Sequence, residues 1–350
     1  MIYLDNAADT YPKPLNFWNN DSLSPLKNTV AQFFKATPEQ IFFTSSAKEA
    51  LYTVIHSLKL NENSTVYLTS FEPDVTIRTV SVRKYQDGIR LFFLPIDPNT
   101  AVPDWKALKQ QFFLYPPDVV IINQVGSLTG AITPAEDIFS KAHAYGAVTI
   151  LDAAQSAGIL PIEFEKMQAD ILIFSGHKKL YGKQGCGGFL CKRENIFETM
   201  PDILTEEQIS QPVLESLCKT LLWGMDGQRE KLQKEQELSA ELLEGLQAFS
   251  DTVVLGPALE KERTGIVTFA LHGYSADWLV NRIKQEGQIV LRTARDTEPY
   301  LSEWLKTIQV EKFVRASFGW FNTQEEVRQL LKTIEGLCKK TTIFLSGKTD

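Results

Sequence analysis

Seven short apolar runs separated by helical patterns occupy the first two thirds of this 350-residue chain. Several of them, such as residues 119–122 and 171–174, are continuously apolar instead of alternating, which is typical of strands buried on both faces of a parallel sheet. Runs of this length joined by helical crossovers predict an α/β fold with a mainly parallel seven-stranded sheet flanked by helices. The predicted strands are 40–44, 65–69, 90–95, 118–123, 147–152, 170–175 and 188–192.

The pattern changes after residue 193, where a long charged helical stretch, 228–249, carries leucines at helical spacing. A second β/α segment follows it. Its predicted strands are 265–271, 289–293 and 313–318, and its predicted helices are 276–285 and 324–338. The sequence therefore predicts a large domain over residues 15–226 and a smaller α+β domain over residues 227–350.

Composition excludes several classes of function. The formal net charge of −7 gives no electrostatic reason to expect a nucleic-acid partner. The N-terminus lacks the pattern of a signal peptide, and no apolar run approaches the roughly 18 residues of a membrane span. Four cysteines without C-x-x-C spacing and four histidines without an i, i+4 pair predict no disulfide framework and no metal site. We therefore expect a cytoplasmic protein with no membrane partner.

Two neighbouring strand ends carry the residues best suited to chemistry. Asp152 ends one apolar strand, and Gln155 follows among small residues that allow close approach to the backbone. At the next strand end the chain reads Ser175-Gly176-His177-Lys178-Lys179. A lysine beside an apolar strand end is a candidate for a lowered pKa and hence for Schiff-base chemistry. A single acid or lysine at such a place is more often a helix cap or a solvated charge, so the surrounding sequences decide the interpretation.

Those surrounding sequences resemble the class V aminotransferase superfamily of pyridoxal 5′-phosphate (PLP) enzymes, specifically its cysteine desulfurase-like branch. The matching segments, in the family's order, are YLDNAA (3–8), FTSSAKEAL (43–51), DAAQSAG (152–158), SGHK (175–178), VRAS (314–317) and FNT (321–323). The resemblance implies fold type I of PLP-dependent enzymes, with residues 1–14 as an N-terminal segment packed near the site and the small domain. The pair His177–Lys178 resembles the desulfurase branch, because the transaminase branch usually has Gln-Lys there.

The resemblance also implies a role for each matching residue around the cofactor ring. Lys178 corresponds to the lysine that forms the Schiff base and later moves the Cα proton. Lys179 is the competing assignment, and Lys178 is preferred because it directly follows His177. Asp152 corresponds to the partner of the pyridinium nitrogen, and Gln155 to the partner of the phenolic oxygen.

Other matching residues correspond to the phosphate and substrate sites. Ala47 and Lys48, at the start of a predicted helix, would present backbone N–H groups to the phosphate. Ser175 and His177 would add contacts to the phosphate. Ser127 stands where the family has an asparagine near the ring. Arg315 would bind the substrate carboxylate as a bidentate fork, with Ala8 beside the substrate.

The chain also departs from the family pattern. Pro73 replaces the histidine that stacks on the ring, and Lys48 replaces a threonine of the phosphate turn. The segment by which a second subunit reaches the phosphate is shortened to residues 223–227. The stretch 291–298, which matches the loop of the persulfide cysteine, contains no cysteine. Cys186 is predicted to be a turn residue before a strand and is a weak replacement; Cys191, Cys218 and Cys338 read as core or helix residues.

The resemblance therefore implies a homodimeric PLP enzyme that acts on a small amino acid through an external aldimine. The expected chemistry is cysteine desulfurase-like, C–S lyase or β-elimination chemistry without the usual persulfide-carrying cysteine. Two alternatives stay open. One is a class V aminotransferase that transaminates a small amino acid. The other is a non-catalytic scaffold that has kept the fold.

Overall fold

The computed structural model describes residues 1–13, 26–192, 196–198, 203, 208–225, 227–249, 252–258, 262–295 and 312–345. The strands are β1 (Ile2–Tyr3), β2 (Ile41–Thr44), β3 (Thr65–Leu68), β4 (Arg90–Phe93), β5 (Val119–Asn123), β6 (Val148–Asp152), β7 (Ile171–Ser175), β8 (Gly187–Cys191), β9 (Thr252–Leu255), β10 (Ile266–Leu271), β11 (Ile289–Val290), β12 (Arg292–Arg295) and β13 (Lys312–Ser317). The helices are α1 (Leu26–Phe34), α2 (Ala47–Ser57), α3 (Asp74–Asp87), α4 (Trp105–Leu114), α5 (Ala135–His143), α6 (Gln211–Gly224), α7 (Gln228–Leu246), α8 (Ala276–Gly287) and α9 (Gln324–Leu345).

The larger sheet has seven strands in the order β2-β8-β7-β6-β5-β3-β4. The strands from β7 to β4 are parallel, whereas β8 runs antiparallel to both of its neighbours. Residues 176–186, between β7 and β8, form turns instead of the crossover helix that a parallel connection needs. The expectation of a mainly parallel, seven-stranded α/β sheet is confirmed.

Apolar side chains cover both faces of this sheet. Every residue of β7 is buried, and alternate side chains enter different clusters. Leu172 and Phe174 pack in one cluster, whereas Ile171 and Ile173 pack in the other. Burial on both faces explains why this strand is continuously apolar in the sequence.

A second, four-stranded antiparallel sheet has the order β12-β13-β10-β9 and packs against α7 and α8, and α9 packs against those two helices. The prediction of a single strand over residues 289–293 is wrong. The chain forms two short strands there, separated by Leu291, because β11 pairs in parallel with β1 while β12 pairs with β13. Strands β1 and β9 were not predicted from the sequence. The two sheets lie on either side of α7 in the chain, and the domain boundaries stay a prediction.

Two further findings concern what the described residues lack. None of the described helices combines the length and the apolar character needed to cross a membrane. Nor do the described residues bring three or more His, Cys, Asp or Glu side chains together in the way that a metal ion needs.

Candidate active site

A cavity of about 930 Å³ lies at the carboxyl ends of the parallel strands. Its walls come from distant parts of the chain: Asn123 ends β5, Asp152 ends β6, Lys178 follows β7, and Arg315 comes from β13. Strand ends of this kind form the usual ligand site of open α/β sheets. The sequence-predicted residues that line it are Ala8, Lys48, Ser127, Asp152, Gln155, Lys178 and Arg315. Ala47, Ser175 and His177 are not among its lining residues.

The two adjacent lysines have different surroundings. Lys178 lines the cavity. Lys179 is fully buried, and its Nζ donates to both carboxylate oxygens of Glu235 at 2.7 Å and to the carbonyl of Phe318 at 3.0 Å. Of these two residues, only Lys178 therefore lines the cavity.

The electrostatic environment of Lys178 suits a nucleophilic amine. Burial lowers its pKa from the ordinary value, and the positive charges of Arg315 and Lys48 lower it further, whereas the charge of Asp152 opposes the shift. A lowered pKa increases the fraction of neutral amine at neutral pH, and the neutral amine is the form that attacks a carbonyl.

Asp152 supplies a buried acid to the same cavity. Only 3% of the residue is exposed, and its Oδ1 accepts a hydrogen bond of 2.9 Å from the backbone N–H of Ala154. Burial raises the pKa of Asp152, while the charge of Lys178 and the Ala154 N–H lower it. A nearby cation is therefore what favours the charged form of this carboxylate.

Glu72 is a second buried acid, which the sequence reasoning missed. Its Oε1 accepts from Thr69 Oγ1 at 2.6 Å and from the backbone N–H of Asn123 at 2.7 Å. Burial raises its pKa to about 8, the two hydrogen bonds at Oε1 oppose that shift, and the charge of Asp152 adds to it. The sequence feature that could have indicated Glu72 is its position in the segment directly after β3, next to Pro73, which replaces the histidine of the family pattern.

Gln155 tests whether the cavity fits the cofactor that the sequence implies. Its Nε2 donates to the carbonyl of Ala7 at 2.9 Å, whereas its buried Oε1 makes no hydrogen bond to any described residue. A buried acceptor without a donor is unfavourable by about 1–3 kcal/mol. A bound group with a hydroxyl, such as the phenolic hydroxyl of PLP, would satisfy it, so these residues fit the cofactor.

The start of α2 lies at the edge of the cavity. Ser46 caps the helix by accepting from the backbone N–H of Glu49 at 3.3 Å, and the side chain of Lys48 lines the cavity. A Cβ on Gly187 would lie 2.6 Å from the nitrogen of Ala47, so a glycine in β8 lets the helix start approach the sheet. The unpaired N–H groups and the dipole of such a helix start favour a phosphate.

The turn after β7 is covered by the N-terminal segment. Ser175 Oγ lies 3.3 Å from His177 Nδ1. Thr10 Oγ1 donates to the carbonyls of His177 and Lys178, and Lys13 Nζ donates to the carbonyl of His177 at 2.9 Å. Burial lowers the pKa of His177, with Asp9 opposing the shift, which favours a neutral ring at pH 7. Neither Thr10 nor Lys13 was identified from the sequence.

Arg315 belongs to a cluster of two arginines and one acid. Its Nη2 donates to Asp5 Oδ1 and its Nη1 to the carbonyl of Ser127, both at 3.1 Å. Arg292 Nε donates to the other oxygen of Asp5 at 3.0 Å, and Arg292 is the cross-strand neighbour of Arg315. Two guanidinium groups around one carboxylate leave a net positive charge, which suits binding of a substrate carboxylate. Asp5 was missed as a member of this cluster.

All four cysteines lie in the described part of the chain, and none of them lines the cavity. Cys186 is fully buried directly before β8, and its carbonyl accepts from the backbone N–H of Gly176 at 3.0 Å. Burial of this kind does not suit a thiolate nucleophile, which needs a partly exposed, electropositive site.

Lys178 and Asp152 line one cavity at the end of a mainly parallel sheet, which is the arrangement expected of a fold type I PLP-dependent enzyme. Comparison with known families gives the particular group. The family described as "Aminotransferase class-V" matches residues 19–219 and 213–330, so the chain belongs to the class V aminotransferase family.

Individual relatives agree with this assignment. A cysteine desulfurase of Synechococcus elongatus is 26% identical over 345 residues, covering 90% of this chain; the chain spans about half, 53%, of that protein. A probable cysteine desulfurase of Aeropyrum pernix is 25% identical, covering 96% of this chain and 94% of that protein. The solved apo structure of a cysteine desulfurase from Thermococcus onnurineus NA1 superimposes with a TM-score of 0.83 at 23% identity, covering 97% of this chain and 95% of that one. The resemblance to the desulfurase-like branch, fold type I and PLP as the cofactor are thereby confirmed.

Proposed function

We propose that this protein is a PLP-dependent enzyme that acts on a small amino acid by β-elimination or C–S lysis. One observation carries the proposal: Lys178 lines a cavity that Asp152 and Arg315 also line, whereas the amine of Lys179 is held by Glu235. A scaffold that had lost its chemistry would have no physical need for a buried acid and a lysine in one cavity.

The residues present suggest how the cofactor would be held. Lys178 would bind it covalently, Asp152 would pair with the ring nitrogen, and Gln155 Oε1 would accept from the phenolic hydroxyl. The phosphate would lie at the start of α2, against the backbone N–H groups of Ala47 and Lys48, with Ser175 and His177 beside it. When bound, PLP supplies an electron sink that stabilises negative charge at Cα of the substrate.

The protein's own groups would then perform two tasks. Arg315 binds the substrate carboxylate and so orients the amino acid. The amine of Lys178 would take the proton from Cα and later return a proton there or to the leaving group. The charge of Asp152 would favour the protonated form of the ring nitrogen.

The location of the cysteines favours elimination over persulfide formation. Persulfide chemistry needs a thiol that attacks the substrate sulfur. Residues 291–298 contain no cysteine, and Cys186 is fully buried. In β-elimination the leaving group departs from Cβ with its electron pair, so no acceptor thiol is required.

A substrate panel tests the reaction. The holoprotein is incubated with cysteine, cystine, alanine and serine, and sulfide, pyruvate and pyridoxamine phosphate are assayed. We expect pyruvate with ammonia from cysteine, cystine and serine, and none from alanine, which has no leaving group at Cβ. Cysteine should release sulfide, and cystine should release thiocysteine, because the S–S bond stays intact when the Cβ–S bond breaks. Sulfide with alanine as the organic product would indicate desulfuration instead, and accumulation of pyridoxamine phosphate would indicate transamination.

A pair of variants tests the lysine assignment. Lys178→Ala should abolish the absorbance of the lysine-linked cofactor at about 400 nm. Lys179→Ala is the matched control, and it should keep this absorbance. The opposite result would transfer the catalytic role to Lys179.

We also propose that the protein acts as a cytoplasmic homodimer. The cavity continues to the surface between α2 and α3, where Tyr52 and Val82 line it and are 53% and 48% exposed. A second subunit packed on these helices would close that opening. Light scattering of the purified protein should give twice the chain mass, and a monomeric mass would refute the dimer. Cell fractionation tests the compartment.

A further inference from the structure

The fully buried pair Lys179–Glu235 joins the turn of Lys178 to α7, and Lys179 also contacts the segment after β13. Both side chains are 0% exposed. Lys179 Nζ uses three acceptors, the two oxygens of Glu235 and the carbonyl of Phe318. Along the chain, Lys179 directly follows Lys178, and Phe318 lies three residues after Arg315. One ammonium group therefore connects the segments that carry Lys178 and Arg315.

Further contacts make this connection rigid. The backbone N–H of Trp320 donates to Tyr181 Oη at 2.6 Å, so the turn and the segment after β13 share a second hydrogen bond. The carbonyl of Lys179 lies so close to Gly158 that a Cβ there would be 2.2 Å away. The turn thus rests on the loop that follows Asp152.

Glu235 extends the connection to the four-stranded sheet. It belongs to α7, and its Oε2 accepts from the backbone N–H of Gly265, directly before β10, at 3.3 Å. Lys231, one turn earlier on α7, places its Nζ 3.7 Å from the ring centroid of Trp223 and adds a second positive charge near Glu235. The carboxylate is therefore held by groups from both sheets.

Stability alone does not account for such a pair. Desolvation of two charges offsets most of their attraction, and apolar residues of similar volume are often as stabilising or more so. The pair instead fixes a geometry, because a movement of either side chain would leave the charge of the other buried without its partner.

We propose that Lys179 and Glu235 are positioning residues that set the distance between Lys178 and Arg315. This inference rests on the proposed function, in which the substrate spans the lysine and the arginine. A displacement of about 1 Å between reacting groups lowers a rate by up to about 100-fold. The pair thus acts through Lys178, whose neighbour it holds, and touches neither substrate nor cofactor.

The test is a double-mutant cycle of Lys179→Met, Glu235→Leu and the double variant. Each single variant leaves a buried charge without its partner, so its thermal midpoint should fall by several degrees. The double variant should recover the wild-type midpoint and keep the absorbance at about 400 nm. Its kcat/KM should nevertheless be about 10- to 100-fold lower, with a raised KM, and the amide of Trp320 should exchange faster with deuterium.

The control is the pair Arg328–Glu241, which joins α9 to α7 at 2.9 Å; the Arg328 side chain is 59% exposed and that of Glu241 is half-buried. Arg328→Leu with Glu241→Leu should leave KM, kcat and the exchange of Trp320 unchanged. A Lys179→Met/Glu235→Leu variant with wild-type kcat, KM and exchange would show a purely structural pair and overturn the inference.

A milder variant decides the matter if the double variant fails to fold. Tyr181→Phe removes only the hydroxyl that accepts from Trp320, and it should raise KM in the same direction; an unchanged KM would overturn the inference. If the wild-type protein binds no PLP, the proposed function fails. Exchange of the Trp320 amide in the Lys179→Met/Glu235→Leu variant, compared with the Arg328→Leu/Glu241→Leu control, then decides separately whether the pair fixes the turn.

Discussion

Glu72 allows a quantitative test of how burial sets the charges near the candidate site. It is fully buried, its pKa is raised from 4.5 to about 8 by burial, and its Oε2 makes no hydrogen bond to any described residue. Between these two pH values the folded protein holds a proton that the unfolded chain has released. The free energy of unfolding therefore falls as the pH rises through this interval.

The size of the effect follows from the interval. Each pH unit in which only the folded state keeps the proton lowers the free energy of unfolding by about 1.4 kcal/mol. From pH 4.5 to 8 the loss is about 5 kcal/mol, and it stops above pH 8. Glu72→Gln keeps the acceptor for Thr69 and Asn123 and removes the titration. Its buried amide N–H₂ adds a constant penalty of about 1–3 kcal/mol.

Chemical denaturation at pH 5, 7 and 9 measures the difference between the two proteins. Glu72→Gln should be as stable as the wild type or less so at pH 5, and should gain about 4 kcal/mol relative to it by pH 9. Glu163→Gln, on the surface, is the control for the loss of a carboxylate. A difference between Glu72→Gln and wild type that stays constant within about 1 kcal/mol across this range would refute the reasoning.

Three further outcomes are expected. Gly158→Ala should lower the free energy of unfolding by more than about 1–3 kcal/mol, because φ is +107° and the new Cβ would clash with the carbonyl of Lys179. The control is Gly146→Ala: its φ is +79° and its Cβ would lie in open space, so it measures the cost of the backbone conformation alone. Asp152→Asn should lower kcat by about 100-fold or more while the folded state persists, since the partner of the ring nitrogen is lost; unchanged turnover would contradict its role. Arg315→Lys should raise KM about 10- to 100-fold with the 400 nm band unchanged, because a lysine cannot form the bidentate fork, and equal KM values would argue against carboxylate binding there.

The larger sheet could be predicted because strands that are buried on both faces are continuously apolar in the local sequence. Continuous apolar runs such as that of β7 mark a strand whatever lies beside it. Strand β1 has no such pattern, because Ile2–Tyr3 is only two residues long and pairs with β11, which is distant in the chain. The same long-range pairing divides the expected strand 289–293 in two.

Part of the candidate site could be identified in the same way. Asp152, Lys178 and Arg315 each belong to a short sequence motif, and in the structure all three line one cavity. Their chemical roles stay predictions until the variants are measured. Glu72 was missed, because nothing in its local sequence shows that Asn123 and Asp152 lie against it.

The adjacent lysines show where the amino-acid order stops being informative. The sequence limits the lysine that binds the cofactor to Lys178 or Lys179, and the motif favours Lys178. The two lysines have different surroundings because Glu235, which lies 56 residues after Lys179 in the chain, forms a fully buried ion pair with Lys179. Neighbours in sequence share their local pattern, whereas burial and charge pairing depend on groups that only folding brings together. For this reason the chain's motifs define the family and the candidate residues, and the folded arrangement determines which lysine lines the cavity.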